Sequence, residues 1–237
     1  MVTALSVADH RLVVLDIDGT LLDTPHLAAW RKALAEVTGA GVERLTAAGY
    51  QRLIAGRSRS AGARAALEVA GVPPTDELVD RLAAVKQDIF QSMAESTVLF
   101  PDARRFLAEA AERAVPLAFC TASRNAGALL RTHLPGPRAE WLSGRLDHSL
   151  ASAGRHPGAT RSEALVRVAR AWNTSPLDCL LLDDSPHGVL AGARCGMRSV
   201  LVDRSEDGDG GHDFTWRVTS LDEIALGAAH AHGLEER

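Results

Sequence analysis

The chain has 237 residues, 46% of them apolar and 24% charged, with a formal net charge of −4 at neutral pH. That balance is ordinary for a globular protein and argues against a broad cationic footprint for nucleic acid. No apolar run reaches the roughly 18 residues that a membrane span requires, so no membrane partner is expected. The first residues lack a charged region followed by an apolar core, so no signal peptide is expected and the expected location is cytoplasmic. Cys120, Cys179 and Cys195 lie far apart without metal spacing and read as buried free thiols.

In chain order, residues 12–15 are a short run of Val and Leu, too short for a lone helix, and predict a buried strand. The run leads into Asp16-Ile17-Asp18-Gly19-Thr20, two aspartates two apart at a strand's carboxyl end, where open α/β sheets bind ligands. Residues 24–96 show helical spacing and no convincing strand. Helices are predicted from His26, over 61–70 and over 76–93, with Gly39, Gly41 and Gly71 as stops. Gly56, Arg57, Ser58 and Arg59 form a polar loop among them.

From Val98 the pattern alternates. Helices are predicted over 103–113, 126–133, 162–172 and 188–195, and strands over 116–120, 179–182 and 199–202. This alternation argues for an α/β fold, a Rossmann-like parallel sheet with right-handed crossovers, interrupted after its first strand. The expected organisation is a discontinuous core, residues 1–23 and 97–237, with an inserted all-helical domain over 24–96. Residues 134–138 read as a turn, 141–150 match no pattern, and 153–159 form a loop rich in Gly and Pro. Residues 204–213 read as a solvated Gly-rich loop that lacks the glutamate and flanking helices of an EF-hand. The tail beyond 227, with His230 and His232, reads as frayed.

Three predicted strand ends carry polar clusters: Asp16 with Asp18, residues 121–125, and Asp183 with Asp184. In a parallel sheet these ends share one edge. Carboxylates gathered there repel one another and are costly to desolvate. A hard divalent cation resolves this, and oxygen ligands with room for water favour Mg²⁺. A magnesium site in turn suggests a phosphate substrate. Lysine is scarce: Lys32 and Lys86 are the only two.

DIDGT, a helical insert, FCTASRN and LLLDDSPHGVLAGARCGM together resemble the haloacid-dehalogenase (HAD) superfamily of phosphohydrolases, over about residues 10–203. The placement of the insert resembles the type with a four-helix C1 cap. The resemblance implies that Asp16 is the nucleophile and forms an aspartyl phosphate. Asp18 would be the general acid and base, and its backbone carbonyl a metal ligand beside Asp16. Aspartate at this second position favours phosphoryl transfer over dehalogenation. Thr121 would hydrogen-bond the transferring group; its plain structural reading is a helix N-cap. Asp184 would complete the metal site, with Asp183 as second ligand or outer neighbour. The family usually places a lysine in a Gly-Lys-Pro context against the nucleophile. The corresponding loop here is Gly154-Arg155-His156-Pro157, so the positive charge falls to Arg155 or His156.

Within the superfamily the chain most resembles the β-phosphoglucomutase-like subfamily. That likeness implies His26 near the acid/base and Arg59, Ser123, Arg124 and Asn125 around a substrate's non-reacting phosphate. The implied activity is Mg²⁺-dependent hydrolysis of a small phosphorylated metabolite, with sugar phosphates leading. A sugar-phosphate mutase is the second reading. A phosphonate hydrolase is the third; it needs an imine-forming cap lysine, for which Lys32 is the early candidate. A non-catalytic binding protein on the same fold is the reading from another class.

Overall fold

In a computed structural model the protein is described over residues 5–134, 140, 142, 151–152, 160–204 and 216–227. Its centre is a six-stranded parallel sheet. The strands are β2 (Leu12–Leu15), β5 (Leu117–Thr121), β6 (Ala151–Ser152), β7 (Cys179–Asp183), β8 (Arg198–Val202) and β9 (Arg217–Val218). Their order across the sheet is β6-β5-β2-β7-β8-β9. Every residue of β2, β5 and β7 is buried, which is why they appear in the sequence as unbroken apolar runs rather than alternating ones.

Alternate residues feed two cores. Val13, Leu15, Leu117, Phe119, Leu180 and Leu182 face one side. Leu12, Val14, Ala118, Cys120, Cys179 and Leu181 face the other. Each fully buried Leu contributes on the order of 1.5–3 kcal/mol. Helices α5 (Pro101–Glu112), α6 (Ala126–His133), α7 (Arg161–Ala171) and α8 (Pro186–Arg194) flank the sheet. Helix α7 opens on a capping box: Thr160 accepts from the Glu163 N–H, and the Glu163 carboxylate accepts from the Thr160 N–H.

Between β2 and β5 the chain forms α1 (His26–Thr38), α2 (Ala47–Leu53), α3 (Arg59–Ala70) and α4 (Asp76–Ser92). Thr46, Ser58 and Thr75 cap α2, α3 and α4, and Gly39 and Gly71 end α1 and α3 in left-handed conformations. These helices bury their own apolar cluster around Trp30, Leu34, Ile54, Leu67 and Leu82, separate from the two sheet cores. The chain leaves for and returns from this layer through a short antiparallel pair, β3 (Leu22–Asp23) and β4 (Val98–Leu99). Two more short strands, β1 (Leu5–Ser6) and β10 (Ile224–Ala225), pair in parallel. Among the described residues no helix is long and apolar enough to cross a membrane.

The chain runs from β2 outward to β5 and β6 on one side, and from β7 to β8 and β9 on the other. The order therefore reverses between β2 and β7. A crevice opens at the carboxyl ends of adjacent parallel strands at such a switch point. Asp16 follows β2 and Asp183 ends β7, so both carboxylates stand there.

Candidate active site

A cavity of about 480 Å³ lies between the carboxyl edge of the sheet and the helical layer. Asp16, Asp18, Thr121, Ser123, Arg124, Asn125 and Asp184 line it from the sheet side, His26, Arg59 and Lys86 from the helical side. Residues predicted from three distant segments thus meet in one space. Asp183 lies just behind the lining and is fully buried. Asp16, Asp183 and Asp184 each offer an oxygen within 4.8 Å of the others.

Two glycines make this packing possible. A Cβ on Gly19, whose φ is +83°, would stand 2.1 Å from Asp184 Oδ2. A Cβ on Gly188 would stand 1.9 Å from Asp183 Oδ2. The carboxylates are therefore cradled by backbone that only glycine permits.

Arg161, in the first turn of α7, supplies the positive charge beside Asp16. Its Nη2 donates to Asp16 Oδ1 at 2.6 Å, to Asp183 Oδ2 at 2.7 Å and to the Cys120 carbonyl at 3.0 Å. Its Nε and Nη1 are buried with no hydrogen-bond partner among the described residues. Arg155 and His156, the expected sources of this charge, lie outside the described residues. The sequence signal for Arg161 was a cation at a helix start, where the dipole disfavours it.

Asp183 has both oxygens engaged, Oδ2 by Arg161 and Oδ1 by the Ser185 N–H at 2.9 Å and hydroxyl at 2.7 Å. Asp184 Oδ2 receives a 3.2 Å bond from the Gln51 side chain of α2. Burial, and then the neighbouring Asp183, push Asp184 up to about 8. Burial and Asp183 also raise Asp16 well above the usual carboxylate range, with Arg161 acting against them. One guanidinium does not balance these carboxylates. An all-oxygen donor set with surplus negative charge fits a hard divalent cation.

Asp18 has a different environment. His26 Nε2 stands 3.2 Å from Asp18 Oδ1, and Lys86 Nζ stands 2.7 Å from His26 Nδ1. As an ammonium Lys86 can only donate to Nδ1, and in that state the imidazole proton sits on Nε2, facing Asp18. Burial acts to raise Asp18, but His26 and Lys86 outweigh it and hold the carboxyl below its ordinary value. His26 stacks on Phe90 with ring centroids 4.3 Å apart. Lys86 Nζ lies 5.1 Å from the Trp30 ring centre and 4.7 Å from that of Phe90. Burial drives Lys86 down to about 7, against the pull of Asp18. Lys32, the early candidate for an imine-forming lysine, is exposed and does not line the cavity. The overlooked signal for Lys86 is its place on the buried stripe Val79, Leu82, Ala83, Lys86, Phe90 of α4.

Thr121 is not the cap of α6. Its Oγ1 accepts from the Ser123 N–H at 3.0 Å and lies 3.5 Å from Asp18 Oδ2, while Ser123 Oγ accepts from the Asn125 N–H. These two local turns face the polar atoms of residues 121–125 toward the cavity. Asn125 and Gln87 of α4 exchange two amide hydrogen bonds, at 3.1 and 3.2 Å. Arg57 Nε donates to His187 Nε2 at 2.9 Å. The helical layer is therefore latched to the sheet layer by Gln51, Arg57 and Gln87, none of which was expected. Arg59 is lowered by burial and by the nearby Arg124, which sets two guanidinium groups from opposite layers against one space.

A parallel α/β sheet with clustered aspartates at its switch point, a buried arginine against them and a helical layer over them defines a hydrolase of the HAD type. The chain belongs to the haloacid dehalogenase-like hydrolase family, whose model matches residues 10–196. It is similar to "Protein CbbY, plasmid" of Cupriavidus necator, 29% identical over 206 residues that span 80% of this chain and 77% of that one. It is also similar to (DL)-glycerol-3-phosphatase 2 of Arabidopsis thaliana, 24% identical over 80% of this chain and 78% of the relative. Among solved structures, β-phosphoglucomutase from Clostridium difficile superposes with a TM-score of 0.69 at 22% identity, covering 90% of this chain and 92% of that one. This last likeness speaks for the fold.

Proposed function

We propose that the protein is a Mg²⁺-dependent phosphohydrolase that acts on a small phosphorylated metabolite of the sugar-phosphate class through an aspartyl phosphate on Asp16. The observation that carries this reading is the contrast between the two aspartates of one loop. Asp16 is buried against a fixed guanidinium. Asp18, two residues on, is wired to an imidazole and a lysine that titrates near neutrality. A fixed positive charge eases the approach of a phosphate dianion to Asp16, and hydrogen-bonded partners place the Asp18 carboxyl for proton transfer.

Asp16, Asp184 and the Asp18 backbone carbonyl would hold the cation, with Asp183 and Arg161 closing its inner side. When bound, Mg²⁺ shields the repulsion between a phosphate and the Asp16 carboxylate. The Nε and Nη1 donors of Arg161, unpaired among the described residues, suit phosphoryl oxygens arriving at Asp16. Thr121 offers a hydroxyl to the same group. Asp18 protonates the leaving oxygen and then takes a proton from the water that hydrolyses the aspartyl phosphate. Arg59 and Arg124 attract an anionic or polyhydroxylated far end of the substrate, with Ser123 and Asn125 beside them. In this reading residues 24–96 are a cap domain that shields the site from bulk water.

The test is phosphate release from a panel of phosphorylated metabolites, with and without Mg²⁺, for the wild type and Asp16→Asn. Metal-dependent release that Asp16→Asn abolishes supports the reading. No release from any compound, or release untouched by Asp16→Asn, refutes it and favours a binding protein on this fold. A mutase is the second reading, favoured by the direct latching of the cap through Gln87 and Asn125, a contact suited to keeping the cap closed over the site. A sugar 1-phosphate given with a trace of the bisphosphate separates the two: the mutase yields the 6-phosphate, the hydrolase free phosphate. A phosphonate hydrolase is disfavoured because Lys32, its candidate imine-forming lysine, is exposed and does not line the cavity.

A further inference from the structure

Arg204 stands just beyond β8, in a stretch whose composition reads as solvated loop. Its side chain is largely covered, and every part of the guanidinium is used. Nη2 donates to the Thr20 carbonyl at 2.7 Å and Nε to the Gly19 carbonyl at 3.2 Å. Nη1 donates to Asp102 at 3.1 Å, and the plane lies over Phe100 with 3.9 Å between the guanidinium carbon and the ring centre. Gly19 and Thr20 follow Asp18 directly and precede β3. Phe100 and Asp102 follow β4 directly. Arg204 thus joins the catalytic turn to the place where the chain returns from the helical layer.

We propose that Arg204 is a positioning residue that sets the orientation of the Asp18–Thr20 turn through its two carbonyls. The proposal rests on the roles given above to Asp16 and Asp18. A trans peptide is planar, so turning a carbonyl one way sends the next N–H the other way. With the Thr20 carbonyl on Arg204, the Leu21 N–H points back to the Ile17 carbonyl at 2.9 Å, the same acceptor that Leu22 uses. The Gly19 N–H in turn donates to the Leu22 carbonyl at 2.8 Å. These bonds close the turn that carries Asp18 and that Gly19 brings against Asp184.

Docking the last described segment does not require Arg204. Asp102 already accepts from the Leu221 N–H at 2.8 Å and the Ser220 hydroxyl at 3.0 Å, and Arg105 pairs with Asp222 on the surface. What Arg204 adds is the fork to two consecutive carbonyls. A lysine ammonium is a point donor and does not reproduce that geometry.

The test compares Arg204→Lys, Arg204→Gln and, as a control on the same segment, Arg105→Gln. Turnover of an aryl phosphate is measured well below each melting temperature, together with hydrogen exchange of the Gly19, Leu21 and Leu22 amides by NMR. Positioning predicts that Arg204→Lys lowers kcat by about tenfold or more with KM little changed. It also predicts lost protection at those three amides while the β2 amides keep theirs. Wild-type kcat and protection in Arg204→Lys would overturn the proposal, as would an equal effect from Arg105→Gln. If Arg204→Gln does not fold, Arg204→Lys decides. If the wild type releases no phosphate, the proposed function fails on its own, and the exchange result still decides whether Arg204 holds the turn.

Discussion

Replacing Arg161 is the most direct probe of the site. The side chain is enclosed, and one nitrogen serves Asp16, Asp183 and the Cys120 carbonyl at 2.6–3.0 Å. Removing one member of a buried ion pair costs about 3–5 kcal/mol, because the other charge is left unpaired. Here two carboxylates are left, so metal-free Arg161→Met should melt markedly lower and regain part of the loss with Mg²⁺. Losing a positioned donor to a reacting oxyanion typically lowers turnover by about 10²–10³-fold. Arg161→Met is therefore expected to lose about that much kcat/KM in Mg²⁺-dependent release of phosphate from p-nitrophenyl phosphate. Arg161→Lys keeps a cation between the carboxylates but gives up the fork, and should stay within about tenfold of wild type. Arg155→Ala and His156→Ala are run beside it. Near-normal turnover in Arg161→Met, with activity abolished in Arg155→Ala or His156→Ala, would refute the assignment of the countercharge.

Two titrations of opposite sign should be visible in stability. Asp184 is raised in the folded protein, from 3.8 to about 8, so the metal-free fold loses stability as pH rises through that range, by at most about 1.4 kcal/mol per pH unit. Asp184→Asn should flatten this slope, and Mg²⁺ should raise the melting temperature more at pH 8 than at pH 6; equal Mg²⁺ shifts at both would count against the acidic cluster as the binding site. Lys86 is lowered, from 10.5 to about 7, so its contribution is complete above the upper value and is lost as pH falls through the lower one. Lys86→Met removes that slope and should melt no lower near pH 6, yet turnover should fall and its pH profile shift, because His26 loses the donor that fixes its tautomer. Arg59→Ala should raise KM for substrates with a second anionic group while leaving kcat for an aryl phosphate unchanged; a uniform loss across both would argue that Arg59 only supports the cap loop.

Much of the fold was legible because the central strands are buried on both faces. Residues 12–15 are β2 at the same bounds, and 179–182 falls one residue short of β7. Helix α6 also matches at both ends. The two-residue strands β1, β3, β4, β6, β9 and β10 were not legible, since a periodicity needs more residues than they contain. Arg204 was read as loop because its anchors, Gly19 and Thr20, stand about 185 residues earlier, and no local pattern encodes them. The aspartates were legible for a simpler reason: each follows or ends an apolar run whose burial forces the next polar residue to the sheet edge.

The two cations were missed for a shared reason, and it explains what they do. Each stands where local physics disfavours it. Arg161 opens α7 at the positive end of the helix dipole, and Lys86 interrupts the apolar stripe of α4. Such placements persist when a partner elsewhere offsets them, and they mark functional sites more often than packing does. The partners are the two aspartates of one loop. A guanidinium keeps its charge at any accessible pH, so Arg161 pulls Asp16 toward its ionised form against the burial and the Asp183 charge that favour the acid. Lys86 titrates near neutrality and reaches Asp18 through one imidazole, and together the two hold the Asp18 carboxyl below its ordinary value. Exchanging the two cations would reverse that division: a titrating group would face Asp16, the nucleophile of the proposed reaction, and a permanent charge would stand behind Asp18, its proposed acid/base.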